Sequence, residues 1–346
     1  MKNKIPLILL LLAFLAGFSV QNVGLFIPDK FLNAPGQDSI IDGMTEWLSV
    51  SYFDHGFMRR GFIGTALNIL PFDPYYSYIF LSIIAYIFLL FLFYHRVFSK
   101  NKPSKVNELA FYIFTFSSAG AMNYGWMFGR FEVFNYLIVL ICLNLIYTQH
   151  ILITSILLMI ALLIHEASIF YVLPILLAYS LGYLTYKKVL LVFTPVFCLA
   201  FLLAAYGNSS VNALGADREF FEIKPFIYYE LIVIFTYISS ISALQYIHRS
   251  FYKYDLSLVT VAPYATLLLY FFGVDVYRWI TIFFTMTLIA MFIEEPKQEI
   301  NATHTKLNKK LLILSLSTLL MSPLGPLGVA HIYPAFTNLL TLLSRI

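Results

Sequence analysis

The sequence predicts an all-α, polytopic transmembrane bundle of about 10–12 helices. Hydrophobic residues make up 60% of the 346-residue chain and charged residues only 12%. The mean hydropathy is +0.81. Apolar runs close to the roughly 20 residues that a bilayer-crossing helix requires recur from end to end. An outer-membrane β-barrel would instead show short alternating segments. No stretch is long and polar enough for a separate soluble domain. Residues 1–346 therefore read as a single integral membrane domain, with outer loops 28–70 and 207–225 contributing to a site.

In chain order, Lys2 and Lys4 precede an apolar run from Ile5 to Val20. Val23–Ile27 prolongs it and no clean small-residue cleavage site follows, so it reads as an uncleaved first helix. A polar stretch to Ser51 follows, in which Met44, Trp47, Leu48 and Val50 are spaced for one face of a surface helix. Further apolar helices are expected over Tyr75–Tyr94, Leu109–Phe116, the residues after Glu132 to Tyr147, Ile151–Ile164, Ala167–Leu184, and on to about Tyr206. Beyond the loop Gly207–Lys224 come Phe226–Ile247, Leu256–Phe272, a helix ending at Glu294, and one more before the Pro- and Gly-rich stretch Ser322–Pro334. Cys142 and Cys198 both fall inside apolar segments and read as packed thiols.

Orientation follows from the cationic residues near segment ends. With the N-terminus in the cytoplasm, 14 of the 22 Lys and Arg lie on the cytoplasmic side and 7 outside, with Arg345 left at the terminus. Under that topology Asp54, Arg59, Arg60, Arg130, Glu132, His165, Glu166, Asp275 and Arg278 all fall at the outer ends of their helices. An ionised group at mid-bilayer costs about 2.5–3.5 kcal/mol on insertion scales, so such groups are expected to face water and each other.

Ser51–Leu67 is the densest of these stretches, with Asp54, His55, Arg59 and Arg60 set among aromatic residues. Two guanidiniums suit bidentate binding of phosphate or diphosphate; the alternative is anchoring to lipid phosphates, which does not need an adjacent pair set among aromatics and glycines. Gly56 and Gly61 flank the pair and permit a sharp backbone path. Arg130 and Glu132 stand two apart, so they point to different helix faces and pair with other helices or a ligand. The dipeptide His165 and Glu166 interrupts an apolar stretch. The imidazole suits a general base, or else a satisfied core histidine. Asp275 and Arg278 stand at i and i+3, as an ion pair or as ligand-binding groups. Trp279 beside them is an interface anchor or a sugar-stacking platform.

The chain has no Walker A motif, no Rossmann glycine pattern, no HExxH and no serine nucleophile elbow. His and Cys spacing offers no metal set, no cofactor is implied, and no basic tract suits nucleic acid.

Gly129 and Arg130 opening a helix, then the run Ile160–Glu166 with His165, then Pro174, resemble the central region of EpsG-type proteins. These belong to the Wzy-like bacterial polysaccharide polymerases, which include O-antigen polymerases and have a GT-C-like membrane architecture. The likeness covers about 60 residues. Arg130 and His165 match its pattern position by position, and Arg59 and Arg60 match by character only. One departure is the lack of a long outer loop beyond Gly207–Lys224. The resemblance implies a metal-independent glycosyltransferase of the bacterial cytoplasmic (inner) membrane that joins undecaprenyl-diphosphate-linked oligosaccharide repeats on the outer face. Its partners would be those lipid-linked glycans, membrane lipid, a flippase and a chain-length regulator. His165 would be the base, with Asp54 or Glu166 next. Arg59 and Arg60, then Arg130 or Arg278, would hold the diphosphate, and Glu132, Asp275 and Trp279 would contact glycan. Two other readings are a GT-C transferase using a polyprenyl-phosphate sugar, with Asp54 as base, and a non-catalytic transporter of lipid-linked glycans. The lack of convincing inverted repeats weighs against the transporter.

Overall fold

The computed structural model describes residues 4–21, 51–57, 59–98, 105–117, 119–207, 227–252, 257–271, 276–293 and 313. Among them there is no strand. The helices are α1 (Ile5–Gln21), α2 (Tyr52–His55), α3 (Gly61–Asn68), α4 (Pro74–Phe98), α5 (Lys105–Phe116), α6 (Ala121–Trp126), α7 (Glu132–Tyr147), α8 (Ile151–Ile164), α9 (Ser168–Tyr183), α10 (Tyr186–Tyr206), α11 (Ile227–Tyr252), α12 (Leu258–Val261), a 3-10 helix (Ala262–Phe271) and α13 (Val276–Ile293). The surface helix expected before Ser51, the loop after Gly207, Asp275, and the last expected helix lie outside the described residues.

Among the described residues, α4 (25 residues) and α10 (21 residues) are long and apolar enough to cross a membrane. Other apolar helices span 10–17 residues. The segment expected as one α-helix over Leu256–Phe272 differs from that expectation: α12 is a single turn that tightens into a 3-10 helix. Pro263 has no N–H to continue the i→i−4 ladder, and the Thr266 hydroxyl donates to the Pro263 carbonyl at 2.7 Å. A 3-10 helix rises about 2.0 Å per residue against about 1.5 Å for an α-helix, so this short segment reaches further than its length as an α-helix would allow.

The chain forms two compact units. The first contains residues 1–33, 90–127 and 222–346. In it α1 packs on α5 and α6, while α13 packs on α5, α11, α12 and the 3-10 helix. Residues 278–292 of α13 are buried on every face, as expected of a helix apolar all round. Asn123 donates to the Thr281 hydroxyl, and the Tyr124 and Thr285 hydroxyls lie 2.5 Å apart. Arg96 Nε donates to the Phe292 carbonyl at 3.2 Å, placing a cation at the negative end of α13. A groove of about 340 Å³ runs between α11 and the α12 region, lined by Ser242, Gln245, Arg249, Thr260 and Tyr264 among others.

The second unit contains residues 34–89 and 128–221. Here α7 and α8 form a helical hairpin, closed by the tight turn through Gln149, which is left-handed (φ 62°). The hairpin packs against α9, α8 packs on α10, and α3 packs on α8. Ser155 Oγ donates to the Val192 carbonyl at 2.9 Å, tying α8 to α10. Cys142 is buried on α7 as expected. Cys198 is not a packed thiol, because it falls on the outward face of α10.

Candidate functional site

The hairpin explains why two distant charged stretches meet. Helices α7 and α8 run antiparallel about a short turn, so the start of α7 and the end of α8 share one end of the unit. Glu132 is the first residue of α7, and His165 caps the C-terminus of α8 in an extended conformation (φ −155°). The His165 Nε2 lies 3.4 Å from Glu132 Oε1. Both side chains are buried, His165 at 2% exposure and Glu132 at 5%.

The turn from α8 to α9 sets the state of the imidazole. The backbone N–H of Ala167 donates to His165 Nδ1 at 3.1 Å. An Nδ1 that accepts carries no proton, so the neutral ring holds its hydrogen on Nε2, facing the Glu132 carboxylate. In this pair the carboxylate has acceptor capacity and the imidazole supplies the donor.

Helix α3 brings the second stretch to the same end. Arg60 is its N-terminal flanking residue and is left-handed (φ 62°, ψ 9°). The sequence suggests glycine for such backbone, and Gly56 does take positive φ (69°), while Gly61 is already helical. A non-glycine residue in this region costs roughly 1–2 kcal/mol. What it achieves is to aim Arg60 across to the α8–α9 turn. Arg60 Nε donates to Glu166 Oε2 at 3.0 Å and Oε1 at 3.1 Å, and Nη2 donates to Oε1 at 2.7 Å. This is a fork of the kind arginine makes with carboxylates and phosphates. The Arg60 and Glu166 side chains are 23% and 31% exposed, so solvent screens the pair and it contributes about 0.2–1 kcal/mol. Burial pushes the Glu166 carboxyl up, but the Arg60 charge and its hydrogen bonds outweigh burial and hold it well below the usual carboxylate range. Glu166 Oε2 also lies 3.8 Å from His165 Nδ1.

Arg60, Glu132, His165 and Glu166 thus form one cluster. Arg130 enters α7 just ahead of Glu132, behind Gly129 (φ 93°), whose carbonyl accepts a hydrogen bond from the buried Tyr78 hydroxyl. Arg59 precedes Arg60 and is half-buried. Asp54 has a local role: the Ser51 hydroxyl donates to its carboxylate at 2.5 Å and receives its backbone N–H at 3.4 Å, a capping arrangement for α2. Arg278 and Trp279 belong to the first unit. They lie within the first turn of α13, with the guanidinium 5.0 Å from the Trp279 ring centroid.

Sequence reasoning missed several groups around the cluster. Asn135 Nδ2 donates to the Tyr171 hydroxyl at 2.8 Å, and both residues are buried. The Ser168 hydroxyl is fully buried one turn after His165 and has no hydrogen-bond partner among the described residues. Asn135 stands three residues after Glu132, an in-register spacing that the sequence did offer. Among the described residues no group of three His, Cys, Asp or Glu side chains is placed to hold a metal ion. No family model, curated protein or solved structure matches the chain.

Proposed function

We propose that this protein is a multi-pass glycosyltransferase of the bacterial cytoplasmic membrane that polymerises undecaprenyl-diphosphate-linked oligosaccharide repeat units on the outer face. The observation that carries the proposal is the cluster itself: an arginine fork, a buried carboxylate and an imidazole, drawn from three chain segments to one end of an apolar helical hairpin. Buried or partly buried charge of this kind in an apolar chain reads as a functional site by default. The resemblance of the Arg130 and His165 segments to EpsG-type polymerases narrows the chemistry. The GT-C-like bundle, the cytoplasmic N-terminus and the outward-facing site belong to the same proposal, and the excess of Lys and Arg on one side supports that orientation.

In the proposed reaction, a hydroxyl at the non-reducing end of the incoming repeat attacks the anomeric carbon of the donor glycan. The new glycosidic C–O bond forms as the bond from that carbon to the diphosphate oxygen breaks. The electron pair leaves on the lipid diphosphate, where Arg60 with Arg59 and Arg130 stabilises the charge without a metal. The hydroxyl proton passes to the Glu132 carboxylate and not to His165, the base expected from the sequence, because the Ala167 N–H occupies Nδ1 and the Nε2–H of His165 faces Glu132. The polyprenyl chains stay in the bilayer beside the apolar helices.

The test is the lipid-linked glycan that accumulates when the protein is deleted. Single complete repeats on undecaprenyl diphosphate support the polymerase. Incomplete repeats refute it and indicate a transferase that uses a polyprenyl-phosphate sugar. Complete repeats trapped on the cytoplasmic leaflet refute it in favour of a transporter.

A further inference from the structure

We infer that Glu166 is a placeholder for the donor's diphosphate: its carboxylate occupies the edge of Arg60 that the phosphate oxygens take, and it is displaced when the donor binds. This rests on the proposed polymerase reading and adds how the empty site is kept and opened.

Three observations carry it. First, Glu166 sits on the Nε–Nη2 edge of Arg60 with both oxygens engaged, at 2.7–3.1 Å. That edge presents two parallel donors, and a carboxylate and a phosphate use it in the same way. Arg60 cannot hold a phosphate there while Glu166 remains. Second, the pair is accessible. The two side chains are 23% and 31% exposed, whereas the neighbouring His165 and Glu132 are 2% and 5% exposed. The exchangeable contact therefore stands at the open side of the cluster, with the acid–base pair behind it. Third, the backbone keeps Arg60 in place without Glu166. Arg60 flanks α3, α3 packs on α8, and the local path is braced where the Thr65 hydroxyl donates to the Gly61 carbonyl at 2.6 Å and accepts the Tyr52 N–H at 2.7 Å. A purely structural ion pair has no need of this. Between two helices already packed, a solvent-screened bridge adds little, yet here it is built on a left-handed arginine.

Glu166 is on this account a positioning residue: it fills the anion seat of the empty site and gives it up to the donor. Its other neighbour, His165 Nδ1 at 3.8 Å, accepts from the Ala167 N–H and offers the carboxylate no donor that competes with Arg60.

The test is diphosphate binding by the full-length protein in detergent, by calorimetry, using inorganic diphosphate, undecaprenyl diphosphate and undecaprenyl phosphate as probes. Removing the competitor in Glu166→Gln should tighten undecaprenyl diphosphate by up to about fivefold, the equivalent of an exposed ion pair. Arg60→Gln should weaken it by about tenfold or more. In the double variant Glu166→Gln should no longer matter. Inorganic diphosphate should show the same pattern more weakly, because the lipid chain adds affinity common to all variants. An equal response to undecaprenyl phosphate would overturn the assignment of the seat to a diphosphate. In the wild-type protein, carbodiimide labelling of Glu166, read by mass spectrometry, should rise when diphosphate is added, and this needs no variant to fold. If the wild type binds and Glu166→Gln binds no tighter, with no rise in labelling, the placeholder is overturned and the polymerase reading stands. If neither protein binds undecaprenyl diphosphate, or Arg60→Gln binds as well as wild type, the donor seat and the placeholder both fall.

Discussion

His165 Nε2 lies 3.4 Å from Glu132 Oε1, at the point where the two ends of the α7–α8 hairpin meet. Ala167 N–H occupies the opposite ring nitrogen, so the hydrogen between these residues sits on the imidazole. A general base contributes roughly 10²–10⁴-fold to rate. Glu132→Gln is therefore expected to lower glycosyl transfer by about 10²-fold or more while leaving undecaprenyl-diphosphate binding near wild type. His165→Ala is expected to reduce transfer more than binding. Parallel loss of transfer and binding in either variant would show that the pair serves the fold instead. In vitro polymerisation and calorimetry on the same preparations separate the two.

Arg60 offers a variant that removes the side chain without penalising the backbone. Glycine accepts left-handed φ without the steric cost that arginine bears. Arg60→Gly is expected to keep protein levels and melting temperature within a few degrees of wild type while abolishing long glycan chains. Arg60→Ala is expected to be the less stable of the two. If Arg60→Gly removes the protein from the membrane, the arginine is structural.

Stability should depend on pH through Glu166. Its folded-state pKa lies below the unfolded value of about 4.3, so the unfolded chain takes up protons first as pH falls. The stabilisation is present in full above the ordinary carboxylate range and declines only as pH drops through and below it. Melting temperatures of wild type and Glu166→Gln should thus differ by a constant amount from pH 7 to pH 6 and converge below about pH 4. A difference that grows on acidification would contradict the sign of the shift.

The first unit depends on a close backbone crossing. A Cβ at Gly17 would strike the Met122 carbonyl, and one at Gly125 would strike the Phe14 carbonyl and the Phe18 amide nitrogen. Small residues of this kind let helix backbones approach closely. Gly17→Leu and Gly125→Leu are expected to destabilise the fold by more than Gly182→Leu, where an added Cβ meets nothing within 4 Å. Thermal unfolding in detergent ranks the three.

Topology is tested separately. Reporter fusions at Lys102 and Gly215 should report opposite sides of the membrane, with Lys102 cytoplasmic. Matching signals would break the proposed orientation and with it the outward-facing site.

Much of the helical layout was legible in the residues. Apolar runs interrupted by Arg130 and Glu132, by Thr148–His150 and by His165 and Glu166 placed α7, α8 and α9 to within a residue or two. The reason is that burial preference and helix termination are local properties, written in a few consecutive side chains. Pro263 shows the limit. It stands where α12 gives way to the 3-10 path of Ala262–Phe271, and the apolar run did not reveal that path, because hydropathy registers burial preference and not the hydrogen-bond ladder.

From composition and sequence alone came a helical, strongly apolar chain with charged groups at certain helix ends, and a list of residues able to do chemistry. Only the tertiary structure selected partners from that list: Glu166 for Arg60 and Glu132 for His165. A single backbone N–H, that of Ala167, decided which imidazole nitrogen carries the proton. Such pairings depend on the closure of a hairpin, on the packing of α3 against α8 and on the left-handed turn at Arg60. The Arg60–Glu166 and Glu132–His165 pairs join residues far apart in the chain, where no local pattern of side chains encodes the distance between them.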